Sequence, residues 1–232
     1  RIDLDVAGED AEKYDERYQK LVNSMDSIVV AVDPNVVEDI SSDETGITVT
    51  GRKGDKAYVF KDASRRGKIS HIYADIVRLY HEYGAEAVVV ETNNGGDFIP
   101  TAIHNIDPMV VVKKVFASKG KRARAEPIGL LYERGKIYHV GIHRELEAQM
   151  CEYNPQVHKK SPDRLDSAVW GLTYLFPSTM RGLFDSDTVV DSLDKDKKNK
   201  VTDLYADLYN QVNNEFNPYS LSDREDDGDV YF

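Results

Sequence analysis

The sequence predicts an α/β protein with a mixed sheet of three antiparallel strands followed by β-α-β units, and with helices on both faces. Two observations lead to this prediction. Three apolar or alternating stretches come first, and short links join them, which indicates an antiparallel meander. Apolar residues then recur at helical spacing between further apolar stretches, which is typical of β-α-β units in a sheet covered on both faces.

The predicted strands are short and rich in β-branched residues. The first, SIVVAVD, is apolar almost throughout, so we expect it to be buried on both faces. The second alternates apolar and polar residues, and Gly54-Asp55 makes a tight connection to the third. In order, the strands are predicted at 27–33, 45–52, 56–64, 86–91 and 109–116, with a brief extended stretch at 137–141.

The predicted helices follow apolar residues at a spacing of three and four. In 69–83 these residues share one face, and Gly84 is placed to end the helix. Pro162 stands near the first turn of the last amphipathic helix, where proline is favoured. A charged helix is expected within 8–25. The remaining helices are predicted at 98–106, 123–135 and 162–176.

Composition excludes several classes of protein. The 232 residues include 41% hydrophobic ones, enough for a core, and no apolar run reaches the roughly 18 residues of a membrane span. Cys151 is the only cysteine, which excludes a disulfide framework or a cysteine-cluster zinc site. The formal charge of −11 comes from both ends, since 27–176 contains 20 acidic and 20 basic residues.

Three acidic residues stand where burial makes a charge costly. Asp33 ends the first strand, Glu91 ends the fourth, and Asp166 lies on an otherwise apolar surface of the last helix. Convergence on Mg2+ or Mn2+ would explain all three, because these ions prefer carboxylate oxygens. Two of them also have a structural explanation: Asp33 as a turn former and Glu91 as the partner of a base. Asp163 suits a helix N-terminus.

This arrangement resembles the ribonuclease H-like superfamily, and more narrowly the C-terminal nuclease domain of a tailed-bacteriophage or prophage large terminase subunit. The resemblance covers about 27–176. Its most specific segment is ASKGKRARAEPIGLLYERGKIYHVG at 117–141. The other segments are AVDP with Asp33, VVVETNNGGD with Glu91, and SPDRLDSAVWGL with Asp166. The position of the family's second acid is occupied by Glu91 here, and a glutamate side chain reaches further than that of an aspartate.

The resemblance implies a divalent-metal-dependent endonuclease that hydrolyses DNA phosphodiesters. Asp33, Glu91 and Asp166 would then be the metal ligands and catalytic residues, with Asp163 as an accessory ligand. The cofactor would be Mg2+ or Mn2+, two ions in number, with no nucleotide bound in this part of the protein. Basic side chains from a stretch without acidic residues would contact DNA phosphates. They are Lys119, Lys121, Arg122 and Arg124.

The resemblance also implies a domain organisation and partners. We expect 1–26 to lead in from an absent ATPase domain, 27–176 to be the nuclease, and 177–232 to be an acidic, partly disordered tail. The implied activity is cleavage of concatemeric double-stranded viral DNA during packaging, in the cytoplasm of a bacterial host. The implied partners are double-stranded DNA, a portal protein, a small terminase subunit and the ATPase domain of the same polypeptide, with no membrane.

Other functions compete with this one. A junction resolvase or a nuclease for RNA–DNA hybrids has the same type of fold, and a non-catalytic docking module would use the acids structurally. Several conspicuous side chains are assigned structural roles. His139 and His143 are interpreted as surface or structural histidines, and Trp170 and Tyr174 as core residues.

Overall fold

The computed structural model of this chain describes most of 11–176. The described residues are 2, 11–34, 44–92, 98–116, 121–154, 162–176 and 190–191. None of the described helices is long and apolar enough to cross a membrane. The predicted acidic tail of 177–232 lies outside the described residues, apart from 190–191.

One sheet organises the described part of the chain, with strand order β6-β3-β2-β1-β4-β5-β7. Strands β1, β2 and β3 form an antiparallel meander, whereas β4 runs parallel to β1 and β5 parallel to β4. On the outer sides, β6 is parallel to β3 and β7 antiparallel to β5. The bounds are β1 Ser27–Asp33, β2 Gly46–Lys53, β3 Lys56–Asp62, β4 Ala87–Glu91, β5 Val112–Val115, β6 Ile137–His139 and β7 Val190–Asp191.

Six helices are described around the sheet. Gly84, which follows the second helix, adopts a φ of 56°, a conformation that glycine reaches without steric cost and that commonly ends a helix. The bounds are α1 Ala11–Val22, α2 Ile69–Glu82, α3 Phe98–Ile106, α4 Lys121–Glu133, α5 Arg144–Glu152 and α6 Asp163–Leu175.

The two faces of the sheet bury separate apolar clusters. Val30 and Val32 of β1 point to the cluster that includes α2 and α3. Val29 and Ala31 point to the opposite cluster, which includes α4, α5 and α6. Side chains alternate along a strand, so Asp33 continues the series that faces α6.

The predicted α/β class is confirmed, and the predicted strands and helices agree with the structure to within a few residues at most ends. Helix α5 was not predicted, because only Leu146 of its residues is buried and its apolar pattern is correspondingly weak. Strand β5 is shorter than predicted: 109–111 belongs to the preceding turn, and Met109 is 70% exposed.

Candidate active site

Asp33 and Glu91 lie side by side at one edge of the sheet. Strands β1 and β4 are parallel neighbours, and their last registered pair is Val32 with Val90. Each strand then ends on its acid. Ala87 and Val89 of β4 belong to the cluster on the α6 face, so Glu91 continues toward the same helix as Asp33 does. Topology therefore brings two of the three predicted acids to one edge and one face.

Helix α6 brings the third acid to this edge. Gly46 of β2 pairs with Asp33 of β1. A Cβ atom at Gly46 would lie 2.0 Å from the carbonyl oxygen of Asp163 and 3.2 Å from the Cβ of Ser167, so the first turn of α6 rests directly on the strand there. Asp166 belongs to that turn and is buried. The absence of a side chain at position 46 lets the helix approach this closely.

Trp170 connects α6 to the end of β4. Its indole Nε1 donates a hydrogen bond of 2.6 Å to Oε2 of Glu91. The indole is only 1% exposed, and the guanidinium carbon of Arg124 lies 4.6 Å from the ring centroid. Asp166 precedes Trp170 by four residues, so both occupy one face of α6. The side chain of Glu91 is thus held by the helix that carries Asp166.

Arg164 fixes the start of α6 to the other side of the meander. Its guanidinium donates two hydrogen bonds to Glu44, of 2.9 and 2.6 Å, and one of 2.6 Å to Asp62. Burial disfavours the charged guanidinium, but the two carboxylates outweigh it, and the pKa of Arg164 is raised. These hydrogen bonds fix the position, relative to the sheet, of the turn that contains Asp163 and Asp166.

We call Asp33, Glu91 and Asp166 together the acid edge. Their carboxylates are the hard oxygen donors that Mg2+ and Mn2+ prefer, so the chemistry of the donor set fits such an ion. Within the described residues, however, no three His, Cys, Asp or Glu side chains are close enough together to hold a metal ion directly. Their role as ligands, and that of Asp163, stays a prediction.

The predicted phosphate contacts fall mostly outside the described side chains. Lys119 is not among the described residues, and Lys121 and Arg122 begin α4 with side chains that are not described. Arg124 is buried, with 3% exposure, against Trp170. Its guanidinium is therefore a neighbour of the acid edge through Trp170 and is not a surface group. A phosphate contact for these four residues stays a prediction.

A second group of titratable residues surrounds His139 of the outer strand β6, on the same face of the sheet as α6. His139 of β6 places Nε2 2.7 Å from the Tyr132 hydroxyl and Nδ1 3.0 Å from Oε1 of Glu147. Nε2 of His143 lies 3.2 Å from the carbonyl oxygen of Val59. Burial is the main cause of the lowered pKa of His139 and of the raised pKa of Tyr132. These histidines are structural, and His139 is not at the surface.

The role of Trp170 at the site was missed from the sequence. The interpretation as a core residue is correct for its burial, but its indole N–H points at a candidate ligand. One signal was present: a tryptophan four residues after a candidate acid on a helix shares that acid's face. A buried indole N–H usually has a hydrogen-bond acceptor nearby, which the pattern alone does not identify.

Together, the meander, the parallel strands that follow it and the helix crossing their acidic ends define a protein of the ribonuclease H-like fold. Residues 30–175 match the family described as the terminase RNaseH-like domain. This match spans more than half of the chain, and the chain belongs to that family. The resemblance inferred from the sequence is confirmed.

Solved structures share this fold at low sequence identity. The large terminase nuclease from thermophilic phage G20c, determined with bound zinc, is 15% identical with a TM-score of 0.51; the match covers 63% of this chain and 80% of that one. The large terminase from a second thermophilic bacteriophage is 12% identical with a TM-score of 0.52, over 66% of this chain but only 40% of that one. No curated protein sequence matches the chain.

Proposed function

We propose that this chain is a divalent-metal-dependent DNA endonuclease, the nuclease part of a terminase large subunit, which cuts concatemeric double-stranded viral DNA during packaging. Family membership supports the general class. The observation that carries the proposal is the acid edge: Asp33 and Glu91 end adjacent parallel strands on the face that α6 covers, and Asp166 lies in the first turn of α6. A metal-dependent hydrolase of phosphodiesters needs such acids to hold its cations.

Asp33, Glu91 and Asp166 would hold the ions, with Asp163 as an accessory ligand. When bound, Mg2+ or Mn2+ supplies an acidified water as nucleophile and neutralises charge on the phosphate and the leaving oxygen. We expect two ions. The bound zinc belongs to the phage G20c nuclease, whose fold is similar, and it supports a divalent ion in this chain.

The chain itself contributes position and a restricted environment. Asp33 and Asp166 are 9% and 5% exposed, so each carboxylate is held with little access to bulk water. Electrostatic attraction between a carboxylate and a cation is stronger in such surroundings than in water. The close contact at Gly46 and the ion pairs of Arg164 hold α6 in position against the strand ends.

DNA would be held through its phosphates by the basic run at the start of α4. We propose this role for Lys119, Lys121, Arg122 and Arg124. Phosphate contacts orient a duplex without reading its bases, so little sequence preference is expected. The family also suggests a portal protein, a small terminase subunit and an ATPase domain as partners, with 1–26 as the connection to that domain and 27–176 as the nuclease domain.

The central test is cleavage of supercoiled plasmid in the presence of Mn2+. Asp33→Asn and Glu91→Gln should each lower the rate by at least about 100-fold, because the metal contributes several kcal/mol to the barrier. Glu133→Gln, a neutralisation on the exposed end of α4, is the matched control and should cleave normally. Circular dichroism checks the fold of each variant.

Full activity in either variant would remove that residue from the site. The substrate decides between related activities. Cutting confined to a four-way junction would indicate a resolvase, and cutting confined to the RNA of a hybrid would indicate a hybrid nuclease. A wild-type chain that neither binds Mn2+ nor cuts any of these substrates would be a docking module.

DNA binding is tested by its dependence on salt. Replacing Lys121 and Arg122 by glutamine should weaken binding and flatten the plot of log K against log salt, by about 0.9 for each phosphate that is no longer neutralised. Arg124 is left unchanged because it packs on Trp170. The matched control neutralises two bases of α1, which packs on the opposite face of the sheet: Lys13 and Lys20. Equal slopes for the α4 variant and wild type would contradict the assignment.

A further inference from the structure

We propose that Trp170 is a positioning residue: its indole N–H orients the Glu91 carboxylate for the cation, and Arg124 holds the indole in place. The inference rests on the proposed function, because it assumes that Glu91 is a ligand. It goes beyond that function by assigning a role to two residues that carry no metal-binding group. The contact that supports it is the 2.6 Å hydrogen bond from Nε1 of Trp170 to Oε2 of Glu91.

The need for such a residue follows from the length of glutamate. Glu91 has one more rotatable bond than an aspartate, so its carboxylate can occupy more positions at the end of β4. Trp170, by contrast, is almost completely buried in the core on the α6 face. A hydrogen bond from this buried ring to Oε2 selects among those positions, and it does not use Oε1.

Arg124 constrains and polarises the ring. Its guanidinium carbon lies 4.6 Å from the centroid of Trp170, within the range of a cation–π interaction, and the side chain is only 3% exposed. Burial makes this contact stronger than at a surface. A cation on the ring face also draws electron density from the indole and strengthens N–H as a donor. Helix α4 thus takes part in orienting Glu91.

Trp170 also links Glu91 to the third acid. Asp166 lies one helical turn before it on α6, so a displacement of the helix moves both. Gly171 allows the helix to lie close to the sheet here, since a Cβ atom would be 3.0 Å from Cβ of Ala31. The hydrogen bond to Glu91 therefore ties the side chain at the end of β4 to the helix that carries Asp166.

A purely structural role makes a different prediction. If Glu91 only accepts a hydrogen bond from a buried indole, losing that bond lowers stability but leaves metal affinity at a folded site unchanged. If Trp170 positions Glu91, its loss lowers metal affinity, and only while Glu91 is itself a ligand. A double-mutant cycle on affinity separates the two.

The experiment is calorimetric titration of Mn2+ into wild type, Trp170→Phe, Glu91→Gln and the double variant. Phenylalanine keeps an aromatic ring and removes the donor. Trp170→Phe should weaken Mn2+ binding about 10-fold or more, as expected for residues that orient metal ligands. In the Glu91→Gln background it should have no further effect. Tyr174→Phe, one turn later on α6, is the control and should bind as wild type does.

A second measurement uses the wild-type indole, because Trp170 is the only tryptophan in the chain. Mg2+ titration should change its fluorescence, since a cation on Glu91 alters the field at the hydrogen-bonded N–H. Glu91→Gln should abolish the change. This measurement decides the question if Trp170→Phe does not fold, and an emission unaffected by Mg2+ at concentrations that calorimetry shows to be bound would overturn the proposal.

The outcomes distinguish the inference from the proposed function. If wild type binds no Mn2+ in calorimetry, the metal-dependent function is wrong and the inference falls with it. If wild type binds Mn2+ but Trp170→Phe binds within twofold of it, only the inference is wrong. The inference is also wrong if Trp170→Phe weakens binding equally with and without Glu91, because it then acts by another route.

Discussion

The acid edge and the group of His139, Tyr132, Glu147 and His143 are two concentrations of titratable side chains in one fold, and they are built differently. In the second group, which we call the histidine cluster, each ring nitrogen of His139 has a neutral or opposite partner within hydrogen-bond distance. At the acid edge, three acidic residues stand at the ends of β1 and β4 and in the first turn of α6, and Glu91 accepts a hydrogen bond from Trp170.

This difference teaches how to separate structural from functional burial. A buried group that finds complementary partners is stabilised by the fold itself, as buried polar groups usually are. Gathering like charges raises the free energy of the folded state, and a cation or another positive group must compensate. The histidine cluster therefore joins α4, β6 and α5, whereas the acid edge is where we propose that a divalent cation binds.

The largest expected effect contrasts one acid from each region. Asp166→Asn should reduce Mn2+-dependent plasmid cleavage by at least about 100-fold, because it removes a proposed ligand. Glu147→Gln should leave the cleavage rate within twofold and lower the free energy of unfolding by about 1 kcal/mol, since it weakens the bond to His139. Plasmid nicking and chemical denaturation measure the two. Equal losses of cleavage would erase the distinction between the regions.

A smaller effect tests whether α6 must lie directly on β2. Gly46→Ala adds a Cβ atom where the Asp163 carbonyl oxygen is 2.0 Å away, so the first turn of α6 must shift. We expect a loss of about 1–3 kcal/mol of stability from overpacking. Cleavage should fall by up to about 100-fold from misplacement of Asp166.

The control for this change is Gly129→Ala on the exposed side of α4, where nothing lies within 4 Å of the added atom. It should raise stability by up to about 1 kcal/mol, because alanine favours the helix. Wild-type cleavage by Gly46→Ala would mean that the start of α6 tolerates displacement.

The smallest expected effect is the contribution of His139 to the pH dependence of stability. Burial lowers the pKa of folded His139, although Glu147 opposes the shift, so the unfolded chain binds more protons than the folded one. The stability that neutral His139 contributes is fully present above the pKa of histidine in the unfolded chain, about 6.5. It decreases as the pH falls below that value. Denaturation between pH 8 and pH 5 should show this loss, and His139→Gln should reduce its slope.

Some slope should remain in that variant, because burial also lowers the pKa of His104. His71→Gln, at an exposed position of α2, is the control and should retain the wild-type slope. An unchanged slope in His139→Gln would show that this histidine is not the group that titrates.

Local patterns were sufficient to predict most of the fold. The β-branched run ending at Asp33 and the helical spacing over 69–83 place β1 and α2 nearly where the structure has them. Helix α5 was not predictable in this way, since only Leu146 is buried and the helix is stabilised by contacts such as that of Glu147 with His139. Such contacts join residues distant in sequence, and periodicity does not record them.

The candidate site divides along the same line. Acids at strand ends could be identified from the sequence, because charge at the end of an apolar run is visible without coordinates. Only the tertiary structure decided that Trp170 meets Glu91 across 79 positions of sequence and that Arg124 is buried on its ring. Side-chain partners of this kind depend on how α4 and α6 cross the sheet, and the packing of separate elements sets that geometry.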